Sequence, residues 1–72
     1  MKNPLIAFIK AKRKALHFTQ RDLADRAGVG LRFIRDLEQG KSSLRLDKVN
    51  QVLSLFGHRM VPMPFRAQGE KI

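Results

Sequence analysis

Apolar positions recur with a helical period in four stretches of this chain, each bounded by capping or turn residues. Asn3-Pro4 opens the first as an N-cap and a first-turn proline. At 100° per residue Leu5, Ile6, Ile9, Arg13 and Leu16 share one face, Lys10 and Lys14 point away from it, and Lys12 lies at its edge. The second stretch starts at Thr19, a cap with Asp22 three residues on as a shortened capping box. Leu23, Ala24 and Ala27 form its buried side, and Asp22–Arg26 and Arg21–Asp25 are spaced as solvated i,i+4 ion pairs. Gly28 suits the left-handed position that closes a helix, Val29 tucks inward, and Gly30 starts the next element.

The third helix is expected from about Leu31 to Gln39. Phe33, Ile34 and Leu37 cover one side of it, and Arg32, Arg35, Asp36 and Gln39 cover the other. Gly40 ends it, and Lys41-Ser42-Ser43 makes a polar loop. A fourth helix spans about Leu46 to Phe56, with Leu46, Val49, Val52, Leu53 and Phe56 inward and Gly57 at its end. Leu55 falls outside that face, either exposed or against a second subunit. From His58 to Met63 the helical period is lost and prolines intervene, which leaves an edge strand or an extended arm. The polar tail from Arg66 is expected to fray. The pattern predicts an all-α fold, a compact four- to five-helix domain over 1–57 with its central helix pair at 19–40. A short C-terminal extended strand and tail over 58–72 follow.

Length and composition narrow the class. The 72 residues make one domain, and 43% apolar residues bury a small core of modest stability. The absence of cysteine removes disulfides and thiolate metal sites and suits a reducing compartment. The apolar run Leu5–Ile9 is too short for a signal-peptide core or a bilayer span, so a cytoplasmic protein without membrane attachment is expected. The net charge of +9 is uneven: residues 1–21 carry six basic and no acidic side chains, 22–40 three basic and four acidic, and 41–72 six basic and two acidic. The middle is near neutral and its flanks are basic, as suits a protein whose flanks grip a polyanion while the middle reads it.

The candidate chemistry follows from that layout. Two short helices joined by Gly-Val-Gly, the second with a separable polar face, have the pattern of a helix-turn-helix that places its second helix in the major groove of DNA. Arg32 and Arg35 lie on one exposed side near the start of that helix, where an arginine fork can bind guanine O6 and N7 together. The plain alternative pairs Arg32 with Asp36 at i,i+4. Leu31 at the tip either presses on a thymine methyl or is half-buried. Gln20, first in the second helix, is placed with the open backbone amides there to hold a phosphate, while Gln39, Lys41 and Ser42 flank the far end of the third helix near the opposite strand. Arg13 is a permanent cation inside an apolar stripe, and if buried it requires a carboxylate. Glu38, at the edge of the third helix's apolar side, is the candidate partner, its alternative being a surface contact with Lys41. Arg13 could otherwise snorkel to solvent.

Thr19, Gln20, Leu23, Ala24, Gly28, Val29, Ile34, Glu38, Gly40 and Lys41 together resemble the phage-repressor-like (Cro/C1, XRE-type) helix-turn-helix family over about residues 5–57. The short length and the extended ending are most similar to the HipB-type antitoxins. The resemblance implies a buried ion pair between Arg13 and Glu38, a phosphate held by Gln20, and bases read by Gly30 to Arg32 and by Arg35. It also implies dimerisation through a strand, Arg59 to Met63, paired across a twofold axis. Such proteins repress their own operon and bind a kinase toxin or a related small partner. Here the chain has Gly30 where a Ser or Thr cap is usual and Leu31 where a polar reader is usual, which shifts the reading to the two arginines.

Base reading falls to Leu31, Arg32, Arg35 and Asp36, and phosphate binding to Gln20, Gly30, Gln39, Lys41 and Ser42. The dimer contact falls to Leu55, Arg59, Met60, Val61 and Met63. The expected partners are double-stranded DNA with a palindromic operator, a second copy of the chain, and a kinase-type toxin or related small partner. A stand-alone phage-type or metabolic repressor is the alternative. A membrane-surface or protein-interaction module built on the first helix is disfavoured by Arg13, which interrupts its apolar face. His17 and His58 have no carboxylate or Cys near them in sequence, and Ser42-Ser43 lacks any nucleophile context, so no catalytic residue, metal or cofactor is expected.

Overall fold

The computed structural model describes residues 3–64, and the tail expected to fray from Arg66 lies outside them. Four helices form in order: α1 (Pro4–Ala15), α2 (Gln20–Ala27), α3 (Leu31–Glu38) and α4 (Leu46–Leu55). α2 packs on both α3 and α4, and α1 closes over α3. Their common core is Ile9, Leu23, Ala24, Ile34, Leu37, Val49, Val52 and Leu53. Among the described residues no helix is long and apolar enough to cross a membrane.

The caps form where the sequence places them. The Leu5 amide donates to Asn3 Oδ1 at 2.9 Å ahead of the first-turn proline. At α2 the Asp22 amide donates to Thr19 Oγ1 at 3.0 Å and the Thr19 amide to Asp22 Oδ2 at 2.9 Å, a reciprocal capping box. Asp22 is thus engaged by the cap, and neither of the expected solvated pairs, Asp22–Arg26 or Arg21–Asp25, closes to ion-pair distance among the described residues. The Arg26 guanidinium instead sits 4.7 Å from the centre of the Phe18 ring. Gly28 closes α2 at φ 76°, and the Gly28 and Val29 amides both donate to the Ala24 carbonyl.

Several apolar positions fall elsewhere than the helical wheel predicts. Leu16 is 50% exposed, because α1 stops at Ala15 and the chain turns before Leu16 reaches the core. Leu46 is 59% exposed at the first turn of α4, and Leu44 in the preceding loop packs against the core instead. Phe8, off the predicted face, packs on the core with its ring edge-on to Phe56 at 6.3 Å and tilted on the His58 ring at 4.6 Å. The expected strand over Arg59–Met63 is not formed: among the described residues no strand exists. A strand needs a neighbour's backbone to ladder with. Within one chain the Met60 amide finds the Asn50 side-chain oxygen at 2.8 Å instead.

α1 ends without a glycine. His17 takes the left-handed position at φ 58°, while the Leu16, His17 and Phe18 amides return to the Lys12, Lys14 and Arg13 carbonyls. A side chain there costs about 1 kcal/mol, so His17→Gly should raise stability by somewhat less than that, after the added freedom of the unfolded chain. Gly28→Ala meets the opposite sign, a loss of about 1 kcal/mol from its positive φ alone, since the new Cβ would make only ordinary contact with Gln51 Nε2 at 3.6 Å. Urea unfolding of the two variants checks both signs.

Candidate nucleic-acid interface

α3 is a two-sided helix. Ile34 and Leu37 are fully buried, Leu31 and Phe33 are half-buried against the core, and Arg32, Arg35 and Gln39 are exposed. Nothing else in the described chain covers the arginine side. Neither guanidinium has a hydrogen bond or ion pair among the described residues. The Arg32–Asp36 pair allowed by i,i+4 spacing does not form, since Asp36 lies 3.5 Å from the Lys41 ammonium. For Leu31, the half-buried placement holds. Gly30 caps α3 without a side-chain hydrogen bond, at an ordinary φ of −76° and with open space where a Cβ would be. Neither backbone conformation nor crowding within the chain demands glycine there. The first-turn amides of α3 stay available to an anion.

The back of α3 is held by an ion pair. Arg13 donates from Nε to Glu38 Oε2 at 2.8 Å and from Nη2 to Oε1 at 3.0 Å, a bidentate fork joining α1 to α3. Its remaining nitrogen, Nη1, donates to the Phe18 carbonyl at 2.9 Å, so the same side chain also fixes the turn leading into α2. Glu38 is 6% exposed, and no buried side-chain polar atom in the described chain lacks a partner. Arg13 therefore neither snorkels to solvent nor leaves Glu38 to Lys41.

Gln20 makes a contact beyond the phosphate contact expected of it. Its Nε2 donates to Glu38 Oε1 at 3.1 Å, so one amide hydrogen is committed to the ion pair and the other remains for a phosphate. This contact, with the Phe18 carbonyl and the Lys10 charge acting on Glu38, was not read from the sequence. The α1 spacing puts Lys10 three residues before Arg13, the one local signal that could have pointed to it. Lys41 and Ser42 are exposed just past α3, beside the exposed Gln39. Leu55, Arg59, Met60, Val61 and Met63 are all exposed, Met63 by 78%, and the Met60 amide ties the arm to the Asn50 side chain on α4.

Burial is the largest influence on Glu38 and works to raise its pKa. The hydrogen bonds from Arg13 and Gln20 and the charges of Arg13 and Lys10 outweigh it, and the net shift is downward. Asp22 is lowered chiefly by the Thr19 backbone amide, and Asp47 chiefly by the hydrogen bond from Arg45.

Breaking the ion pair leaves a charge without its partner, so Glu38→Ala should cost about 3 kcal/mol. The double variant Arg13→Met with Glu38→Leu should recover much of that loss, because replacing both members removes the desolvation cost along with the attraction. Urea midpoints of the two variants compare them. The acid dependence has a definite sign: a carboxylate with its pKa lowered on folding stabilises the fold above its unfolded value, about 4.3 for Glu. That stability is lost as pH falls through the folded value. Unfolding midpoints should hold from pH 7 to about pH 5 and fall below about pH 4, with a smaller fall in Glu38→Gln.

The chain matches the HTH_3 family model, helix-turn-helix, over residues 9–59, which takes in all of α2, α3 and α4 and the half of α1 that carries Arg13. It is 49% identical over 51 residues to y4mF of Sinorhizobium fredii, an uncharacterized HTH-type transcriptional regulator, covering 71% of this chain and 67% of that protein. No solved structure matches the chain. With the two-sided α3 standing on α2 and held from behind by α1, the chain belongs to the HTH_3, XRE-type helix-turn-helix family of DNA-binding domains.

Proposed function

We propose that this chain is a homodimeric transcriptional repressor that lays α3 in the major groove of a palindromic operator. We further propose that it serves as the autoregulating antitoxin of a HipA-like kinase toxin. The observation that carries the DNA-binding part is the surface of α3: two exposed guanidinium groups with no partner within the described chain, on a helix pinned from behind by a bidentate buried ion pair. Excess positive charge on both flanks of the motif supports a polyanionic partner. In this reading Gln20, the first-turn amides after Gly30, and Gln39, Lys41 and Ser42 hold phosphates on either side of the groove. No catalytic role is proposed.

The twofold part rests on the exposed apolar side chains of Leu55, Met60, Val61 and Met63. Among the described residues the arm's backbone has no ladder, and a second copy would supply one. The antitoxin part rests on the resemblance to HipB-type proteins in length and ending. Transcriptional regulation is in the name of the Sinorhizobium relative, which favours the second reading, a repressor acting without a toxin, equally well.

Titration of an operator-containing duplex at several salt concentrations tests the first part. Log K should fall by about 0.9 for each phosphate neutralised, and Lys41→Ala should flatten that slope while freeing Asp36 to close on Arg32, so that sequence preference weakens as well. A flat response in the parent protein would sink DNA binding. Sedimentation should find a dimer that Val61→Asp splits into monomers without unfolding, and a monomeric parent overturns the twofold arrangement. Co-purification of a kinase encoded beside the gene separates the antitoxin from the stand-alone repressor.

A further inference from the structure

We infer that the operator half-site beneath α3 is read at G·C pairs. Guanines within about two base steps of one another lie against Arg32 and Arg35, and a cytosine amino group lies against Asp36. This rests on the proposal that α3 enters the major groove, and it names what the helix meets there.

Among the described residues three arginines have a partner and four, Arg21, Arg32, Arg35 and Arg59, have none, and of these four only Arg32 and Arg35 stand on α3. Arg13 is locked on Glu38, Arg45 on Asp47 at 2.7 Å, and Arg26 over the Phe18 ring. Arg32 and Arg35 stay unengaged among the described residues, although Asp36 stands one turn from Arg32. The Lys41 ammonium occupies Asp36 at 3.5 Å and leaves the forks open. An open guanidinium fork matches the paired acceptors O6 and N7 of guanine, the one base edge in the groove with two adjacent acceptors.

The chemistries that would read A·T pairs are missing from the same surface. Adenine is matched by an Asn or Gln amide, and the exposed face of α3 has only Gln39, at its far end as the C-cap. Thymine is matched by an apolar side chain against its methyl group, and Leu31 is half-buried against the core. Asp36 adds a carboxylate to a surface that approaches phosphates. The base-edge donor suited to it is the cytosine N4 amino group. Spacing limits the arrangement further. Arg32 and Arg35 are three residues apart, a rise of about 4.5 Å along the helix. The base step is about 3.4 Å, so the two forks reach neighbouring or next-neighbouring pairs.

Selection of sites by the full chain from a randomised double-stranded library tests this directly. Each recovered half-site should carry two G·C pairs no more than about two steps apart. Replacing either guanine with 7-deazaguanine, which lacks N7, should weaken the parent about five- to hundredfold. The same replacement should leave unchanged the matching variant among Arg32→Ala and Arg35→Ala. Arg32→Lys and Arg35→Lys keep the charge and lose the fork, so each should lose the guanine preference with the salt dependence intact. Asp36→Asn should relax the preference for cytosine at one position and tighten binding to unrelated DNA. Circular dichroism guards against misfolding of these exposed-site variants. Recovered sites that are A·T at the central positions, or binding without any recovered preference, would overturn the inference while leaving DNA binding standing. Failure to retain any DNA at low salt would overturn the repressor reading along with it.

Discussion

The buried fork between Arg13 and Glu38 is the interaction on which the rest of this small domain leans. A core of eight buried apolar residues determines little about how three short helices are rotated against one another. Bidentate hydrogen bonding does, because a guanidinium and a carboxylate meet in one plane and at one distance. Arg13 uses three of its nitrogens on two elements, α3 and the turn into α2. Glu38 accepts from α1 and from the first residue of α2. Orientation of the helix pair is thus specified by directional bonds behind it and by apolar contact beneath it.

That arrangement explains how a helix of eight residues can serve as a reading surface. α3 is too short to be stable alone. Its inner side is consumed by Ile34, Leu37 and Glu38, and its outer side is left to Arg32 and Arg35. Gly30 adds no side chain at the start of α3, which leaves the first-turn backbone amides uncovered beside the exposed Arg32 and Arg35. Gln20 couples the two functions. Tied to Glu38 through one amide hydrogen, it joins the element that orients α3 to the position expected to hold a phosphate, so disturbance of the ion pair reaches the binding surface through a named contact.

Beyond α4, exposed Met60, Val61 and Met63 follow without regular structure of their own. The arm is nevertheless anchored: His58 stacks on Phe8 and donates from Nδ1 to the Phe56 carbonyl at 2.7 Å, and Met60 bonds to Asn50. Held at these two points, the arm leaves Met60, Val61 and Met63 as exposed apolar side chains.

The sequence by itself determined the four helices, the caps at Asn3 and Thr19, the turn at Gly28 and the polar side of α3. Each of these follows from interactions within about four residues, which spacing and residue type record directly. It also pointed to Arg13 and Glu38 as partners, since a cation inside an apolar stripe requires a distant carboxylate and the resemblance named the same pair. Where apolar residues sit at helix ends, periodicity misled: Leu16 and Leu46 lie on the right face of the wheel but beyond the reach of the neighbouring helices, and Phe8 and Leu44 enter the core from positions the wheel does not favour. Tertiary structure alone decided that Gln20 belongs to the ion pair, that Lys41 takes Asp36 and so leaves Arg32 open, and that 58–64 remains outside any sheet. The physical reason is common to all three. Each depends on groups brought together by packing of whole helices or on a neighbouring strand that the described residues do not contain, and local sequence carries no record of either.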